Sequence, residues 1–113
     1  MFRDLSWPAV TTLEPKQQME AARVRTALLN LARECTREAM VVLGSAQRGG
    51  STAAAILGQA LQLAGHRDAT TVSSEARARS MRLMIQRAMT EGLLDGTLVR
   101  DRANRNLIRL SCH

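Results

Sequence analysis

Aromatic side chains are almost missing from this sequence: one phenylalanine, one tryptophan and no tyrosine occur in 113 residues. Both, Phe2 and Trp7, stand in the first seven positions, so the interior has to be built from Leu, Ile, Val, Met and Ala, a palette that suits packed helices better than a sheet sandwich. Cysteine is scarce too. Cys35 and Cys112 are far apart and outside any CxxC spacing, which argues against a disulfide framework or a zinc site and fits a reducing cytoplasm. Two histidines, His66 and His113, are too few for a histidine-based metal centre. No run approaches the roughly 18 to 20 apolar residues that span a bilayer, and MFRDLSWPAV lacks the apolar centre of a signal peptide. The expectation is an intracellular chain that does not enter a membrane.

Catalytic signatures are also lacking. There is no P-loop, GxGxxG, HExxH or GxSxG pattern, and the nearest glycine-rich stretch, GSAQRGGST, has neither the lysine nor the spacing of a phosphate cradle. It reads as an inter-helix turn. An enzyme is therefore not expected, and no cofactor or metal is implied.

What is present is positive charge. Sixteen basic against ten acidic residues give a formal charge of +6 and a pI near 11.2, a balance that favours polyanionic partners. All but one of the basic residues are arginine, Lys16 being the exception. Arginine offers a planar fork that grips phosphate or guanine through two hydrogen bonds, although a GC-rich genome produces the same excess without functional pressure. The hydrophobic content of 45% supports one core at this length, so a single domain is expected.

Residues 1–13 read as an arm, broken by Pro8 and Thr11-Thr12 and carrying the apolar Phe2, Leu5 and Trp7. Such an arm covers the chain's own core or crosses to a second subunit. The single domain follows over 14–113. Its first part, 14–43, is helical: Ala21, Val24, Leu28, Leu31, Cys35 and Ala39 step by threes and fours onto one face, with Arg23, Thr26, Asn30, Arg33 and Arg37 opposite. It forms one long helix, or two if Thr36 caps the second, and it is the candidate dimerisation region.

After Gly44 and Gly49-Gly50, Ser51 reads as the cap of a second amphipathic helix that Gly65 closes, with Gly58 marking either a weak point or a close helix approach. HRDATTV follows as a polar connector. Ser73 or Ser74 then opens a third helix, buried through Met81, Met84, Ile85, Ala88 and Met89 and ending near Gly92. Arg79, Arg82 and Gln86 share another face, with Arg77 and Ser80 alongside. Past Asp95-Gly96, Thr97-Leu98-Val99 and Asn106 to Leu110 have strand-like side chains around a polar tip at 101–105. This predicts a basic β-hairpin anchored by Leu98, Leu107 and Leu110.

The order of a capped helix, a cationic helix, the EGLL helix exit and a basic hairpin resembles the C-terminal part of winged helix-turn-helix DNA-binding domains. MIQRAMTEGLLDGTLVRDRANRNLIRLS looks most like the recognition-helix and wing region of MarR-type regulators, through Glu91-Gly92-Leu93, the Asp101 and Arg105 pair, and Leu107-Ile108-Arg109-Leu110-Ser111. The resemblance covers about half the chain. It implies a mainly α fold with a small β-hairpin, a winged helix-turn-helix over 51–111 preceded by the long helical region.

It also implies base or phosphate contacts to double-stranded DNA from Ser74, Arg77, Arg79, Ser80 and Arg82, and a minor-groove contact from Arg102 or Arg105. Arg48 and the helix start at Ser51 are candidate phosphate contacts, because N–H groups at a helix N-terminus favour anions. A MarR-type dimer uses a helix after the wing, whereas this sequence stops just past the hairpin, so a homodimer is expected to use the arm and the 14–43 region. The function implied is a cytoplasmic, dimeric transcriptional regulator acting by site occupancy. The competing expectation is a helical adaptor or small chaperone with no DNA-binding activity, in which the arginines are a solvated face.

Overall fold

The computed structural model describes residues 14–44 and 50–111. The expected arm at 1–13, Arg48, Cys112 and His113 lie outside the described residues. Three helices and a small antiparallel sheet follow in the order α1 (Pro15–Gly44), β1 (Ser51–Thr52), α2 (Ala53–Arg67), α3 (Glu75–Asp95), β2 (Leu98–Arg100) and β3 (Leu107–Leu110). A 3₁₀ turn at Ala69–Val72 links α2 to α3. The sheet runs β1-β3-β2, so the last strand lies between the two earlier ones.

α1 is one helix, not two. Thr36 does not cap anything; it is buried, and its hydroxyl donates to the Ala32 carbonyl at 2.6 Å, the back-bond by which threonine satisfies itself inside a helix. A 30-residue helix is about 45 Å long, longer than α2 or α3 can cover. The buried positions are therefore Ala32, Cys35, Thr36, Ala39 and Met40, while Val24, expected inside, is 45% exposed. The N-terminal part of α1 extends beyond the packed body, and the molecule measures 50 × 26 × 26 Å.

The remaining core comes from Ile56, Ala60 and Ala64 of α2, Met81, Met84, Ile85 and Met89 of α3, and Leu98 and Ile108 of the hairpin. Small alanines on α1 and α2 let the axes approach closely, and methionines fill the irregular gaps that aromatic rings fill elsewhere. Three ion pairs tie α1 to its neighbours. Arg67, at the end of α2, donates to Glu34 at 3.0 Å and to Glu38, and Arg33 donates to Glu91 of α3 at 3.2 Å. Among the described residues no buried side-chain polar atom lacks a partner.

The expected hairpin is present, but its anchor shifts by one residue. Leu98 pairs with Leu110 and Arg100 with Ile108, so alternation turns Leu98, Ile108 and Leu110 to the core. Ile108 is 2% exposed, and Leu107, on the opposite face, takes no part in the core. Ser51 likewise changes role. It pairs with Ile108 as part of β1, and the helix cap falls to Thr52, whose hydroxyl accepts the Ala55 N–H at 3.2 Å.

One glycine reading changes, and two others gain their physical reason. Gly65 lies within α2, which runs on to Arg67. Gly92 lies within α3 against Leu98, and Gly96, at φ 87°, is the residue that ends the helix. A Cβ added at Gly58 meets nothing within 4 Å, so Gly58 marks no close approach. Gly58→Ala is expected to raise stability by up to about 1 kcal/mol, the helix-propensity difference alone, measured as a higher thermal midpoint.

Candidate nucleic-acid interface

Positioning of α3 begins in the connector. The Asp68 carboxylate accepts the backbone N–H of Thr70 at 3.0 Å and its hydroxyl proton at 2.6 Å, while the buried Thr71 hydroxyl donates to the Asp68 carbonyl at 2.8 Å. The joint between α2 and α3 is thus a closed hydrogen-bonded turn. Ser74 then caps α3, its hydroxyl oxygen accepting the Arg77 N–H at 3.1 Å, and Glu75 places a negative charge at the positive end of the helix. The Ser74 hydroxyl keeps its own proton for an acceptor such as a phosphate oxygen.

The buried stripe of α3 fixes what the opposite side presents. With 100° per residue, Arg79, Leu83, Gln86 and Thr90 fall along one exposed line, Arg82 on one flank and Arg87 on the other. Arg77 and Ser80 do not share that line. They turn toward α1, where with Asp68, Val24, Leu28 and Met81 they border a cleft of about 440 Å³.

The arginines differ in their partners. Arg87 donates to Glu91 at 3.1 Å, and Glu91 also holds Arg33. Arg79 meets Glu75 at 3.9 Å with both side chains well exposed, a contact of little energetic weight. Arg82 has no carboxylate partner among the described residues.

The loop between β2 and β3 is also organised. The Asp101 carboxylate accepts the N–H groups of Ala103 at 3.0 Å and Asn104 at 2.9 Å, Asn104 accepts the Asn106 N–H, and Arg100 donates to the Arg105 carbonyl at 3.0 Å. Asp101 therefore serves the loop backbone instead of pairing with the Arg105 guanidinium. Arg102 and Arg105 are exposed on this fixed loop. Ser51 is 2% exposed, which removes its side chain from any ligand-facing surface.

Sequence spacing gives no reason to single out Leu83, because an isolated apolar residue on a polar face belongs to no pattern. Asp68 and Arg100 were legible only as turn-forming or charged residue types, and Asp101, expected as the partner of Arg105, instead organises the loop backbone.

Three carboxylates are held below the usual range by hydrogen bonds they accept. For Glu91 the main cause is Arg33, with Arg87 second; for Asp95 it is the Thr97 backbone N–H and then its hydroxyl; for Asp68 it is the Thr70 hydroxyl and then its N–H. A depressed carboxylate stabilises the fold above its unfolded-state pKa of about 4, and that contribution is lost as pH falls through the folded value. The thermal midpoint is therefore expected to hold from pH 7 to about 5 and to drop below about pH 4. Glu91→Gln should make the drop shallower.

Burial pushes the Cys35 thiol up, so it stays protonated as a core filler. No group of metal-ligating side chains occurs among the described residues, and no described helix is long and apolar enough to cross a membrane. Comparison with protein-family models, curated proteins and solved structures gives no match to this chain.

Proposed function

We propose that the chain is a winged helix-turn-helix protein that binds double-stranded DNA as a homodimer and regulates transcription by occupying its site. The observation that carries this reading is the element order: a two-residue strand between the first two helices, a third helix running directly into a hairpin, and a sheet ordered β1-β3-β2. That order suits a helix that reads the major groove and a loop that follows it to the neighbouring minor groove. The N-terminal half of α3 supplies Arg79 and Arg82, and the organised loop supplies Arg102 and Arg105. Arginine is attracted to closely spaced phosphates and to the negative potential of a narrow minor groove. Second-subunit contact is assigned to α1, where Met19 is 60% exposed beyond the packed body.

The test is a salt titration of binding to genomic duplex fragments, including the region upstream of the chain's own coding sequence. Affinity should fall steeply with salt, and removing one phosphate-contacting arginine should reduce the log–log slope by about 1. Arg105→Ala should weaken binding without unfolding, because the loop uses the Arg105 carbonyl and not its guanidinium. A protein that ignores duplex DNA at low salt overturns the reading. Equal binding to every duplex would remove site selectivity and leave an architectural role.

A second reading is a helical adaptor with solvated arginines. The exposure of Met19, Val24, Val41 and Val42 along α1 favours it, and it predicts no salt-dependent duplex binding.

A further inference from the structure

Leu83 is the large apolar residue at the middle of the basic face of α3. It is 61% exposed, it lies one turn after Arg79 and one turn before Gln86 and Arg87, and it faces away from Met81, Met84 and Ile85. Leu94 is also exposed, but it occupies the last turn, beyond the arginine cluster. A leucine this exposed contributes little burial energy to the fold. Its neighbours on the line are polar or charged, so it does not continue the core.

We propose that Leu83 reads the 5-methyl group of a thymine in the major groove. The inference rests on the DNA-binding reading above. A residue at the centre of a groove-facing helix comes closest to the base edges, while the flanking arginines reach outward to phosphates. Donors and acceptors of the base edges are recognised by polar side chains; the thymine methyl is the apolar group there, and it calls for an apolar partner. The Leu83 side chain has the chemistry for that group and for no hydrogen bond. Gln86, one turn along the same line, can form a two-point contact with adenine, which makes α3 suited to a step containing an A·T pair.

The experiment starts from duplexes enriched on this protein from a random pool, resynthesised with deoxyuridine at one thymidine at a time. Uracil keeps every hydrogen-bonding group of thymine and lacks only the methyl. The wild-type protein should lose about fourfold in affinity at one thymine of the bound site, the ratio that burial of one methyl-sized group produces. Leu83→Ala should erase that difference while keeping the same salt slope. Exposed alanine is well tolerated in a helix, so the variant stays folded.

Salt-dependent duplex binding by the wild type with uracil tolerated at every position overturns the role of Leu83 and leaves the DNA reading standing. Discrimination that persists undiminished in Leu83→Ala overturns it too. Failure to enrich any duplex brings down both.

Discussion

Gly50→Ala is expected to destabilise the folded chain by about 3 kcal/mol, because two independent costs coincide there. Gly50 sits at φ 116°, where a side chain is strained whatever the space around it. An added Cβ would also lie 2.5 Å from the Ile108 carbonyl oxygen and 2.8 Å from its carbon. Those are backbone atoms of the central strand, so relief has to come from moving β1 away from β3. The pairing of Ser51 with Ile108 and Thr52 with Leu107 is then lost, and with it the fixed start of α2. Against a total stability of roughly 5 to 15 kcal/mol, the thermal midpoint should fall by roughly 10 to 15 °C. Circular dichroism melts of Gly50→Ala beside Gly58→Ala check this directly: the same substitution should move the midpoint in opposite directions. A Gly50→Ala midpoint equal to that of the wild type would mean that β1 does not hold the fold.

Ile85→Ala should cost about 3 kcal/mol or more, by leaving a cavity at the centre of the three-helix core. Ile85 is fully buried and is one of the largest side chains with no exposure. Met81, Met84 and Met89 surround it on the same stripe, and methionine flexibility recovers part of the lost contact. Urea unfolding should show a lower midpoint with an unchanged slope, the signature of lost stability in an unaltered fold. Leu83→Ala, two residues earlier, should stay within about 0.5 kcal/mol of the wild type. The contrast between neighbouring positions measures how sharply α3 separates its packing face from its outward face.

Sequence patterning reached most of the helical architecture and missed what depends on distant partners. The stripe Met81, Met84, Ile85 and Met89 and the cap at Ser74 follow from local periodicity and capping chemistry, and both appear as expected. The hairpin follows from β-branched and leucine-rich runs around a polar tip. β1 does not, because two residues carry no period and exist as a strand only through pairing with β3. Thr36 and Gly65 look like helix boundaries by residue type, yet both lie within helices: Thr36 bonds back to Ala32, and α2 runs on past Gly65 to Arg67. The apolar stripe of α1 was visible from Ala21 to Ala39, but how much of it is covered depends on the lengths of α2 and α3. Of the candidate site, the arginines of α3 and the hairpin were legible as a cationic set. Their division was not, because it depends on where α1 packs: Arg77 and Ser80 border the cleft against α1, and the loop hydrogen bonds assign Asp101 to the backbone.

Glu91 gives α3 an electrical polarity. Its single carboxylate engages both Arg33 and Arg87, and Asp95 adds a further negative charge at the end of the same helix. The C-terminal half is thereby compensated, while Arg77, Arg79 and Arg82 crowd the N-terminal half, where Glu75 is the one acidic residue of the helix and Asp68 of the connector faces Arg77. A rod charged unevenly along its axis experiences a torque in the field of a polyanion, not merely an attraction. In the DNA-binding reading proposed above, rotation during the diffusive encounter would bring the first three turns of α3 forward before any side chain makes contact.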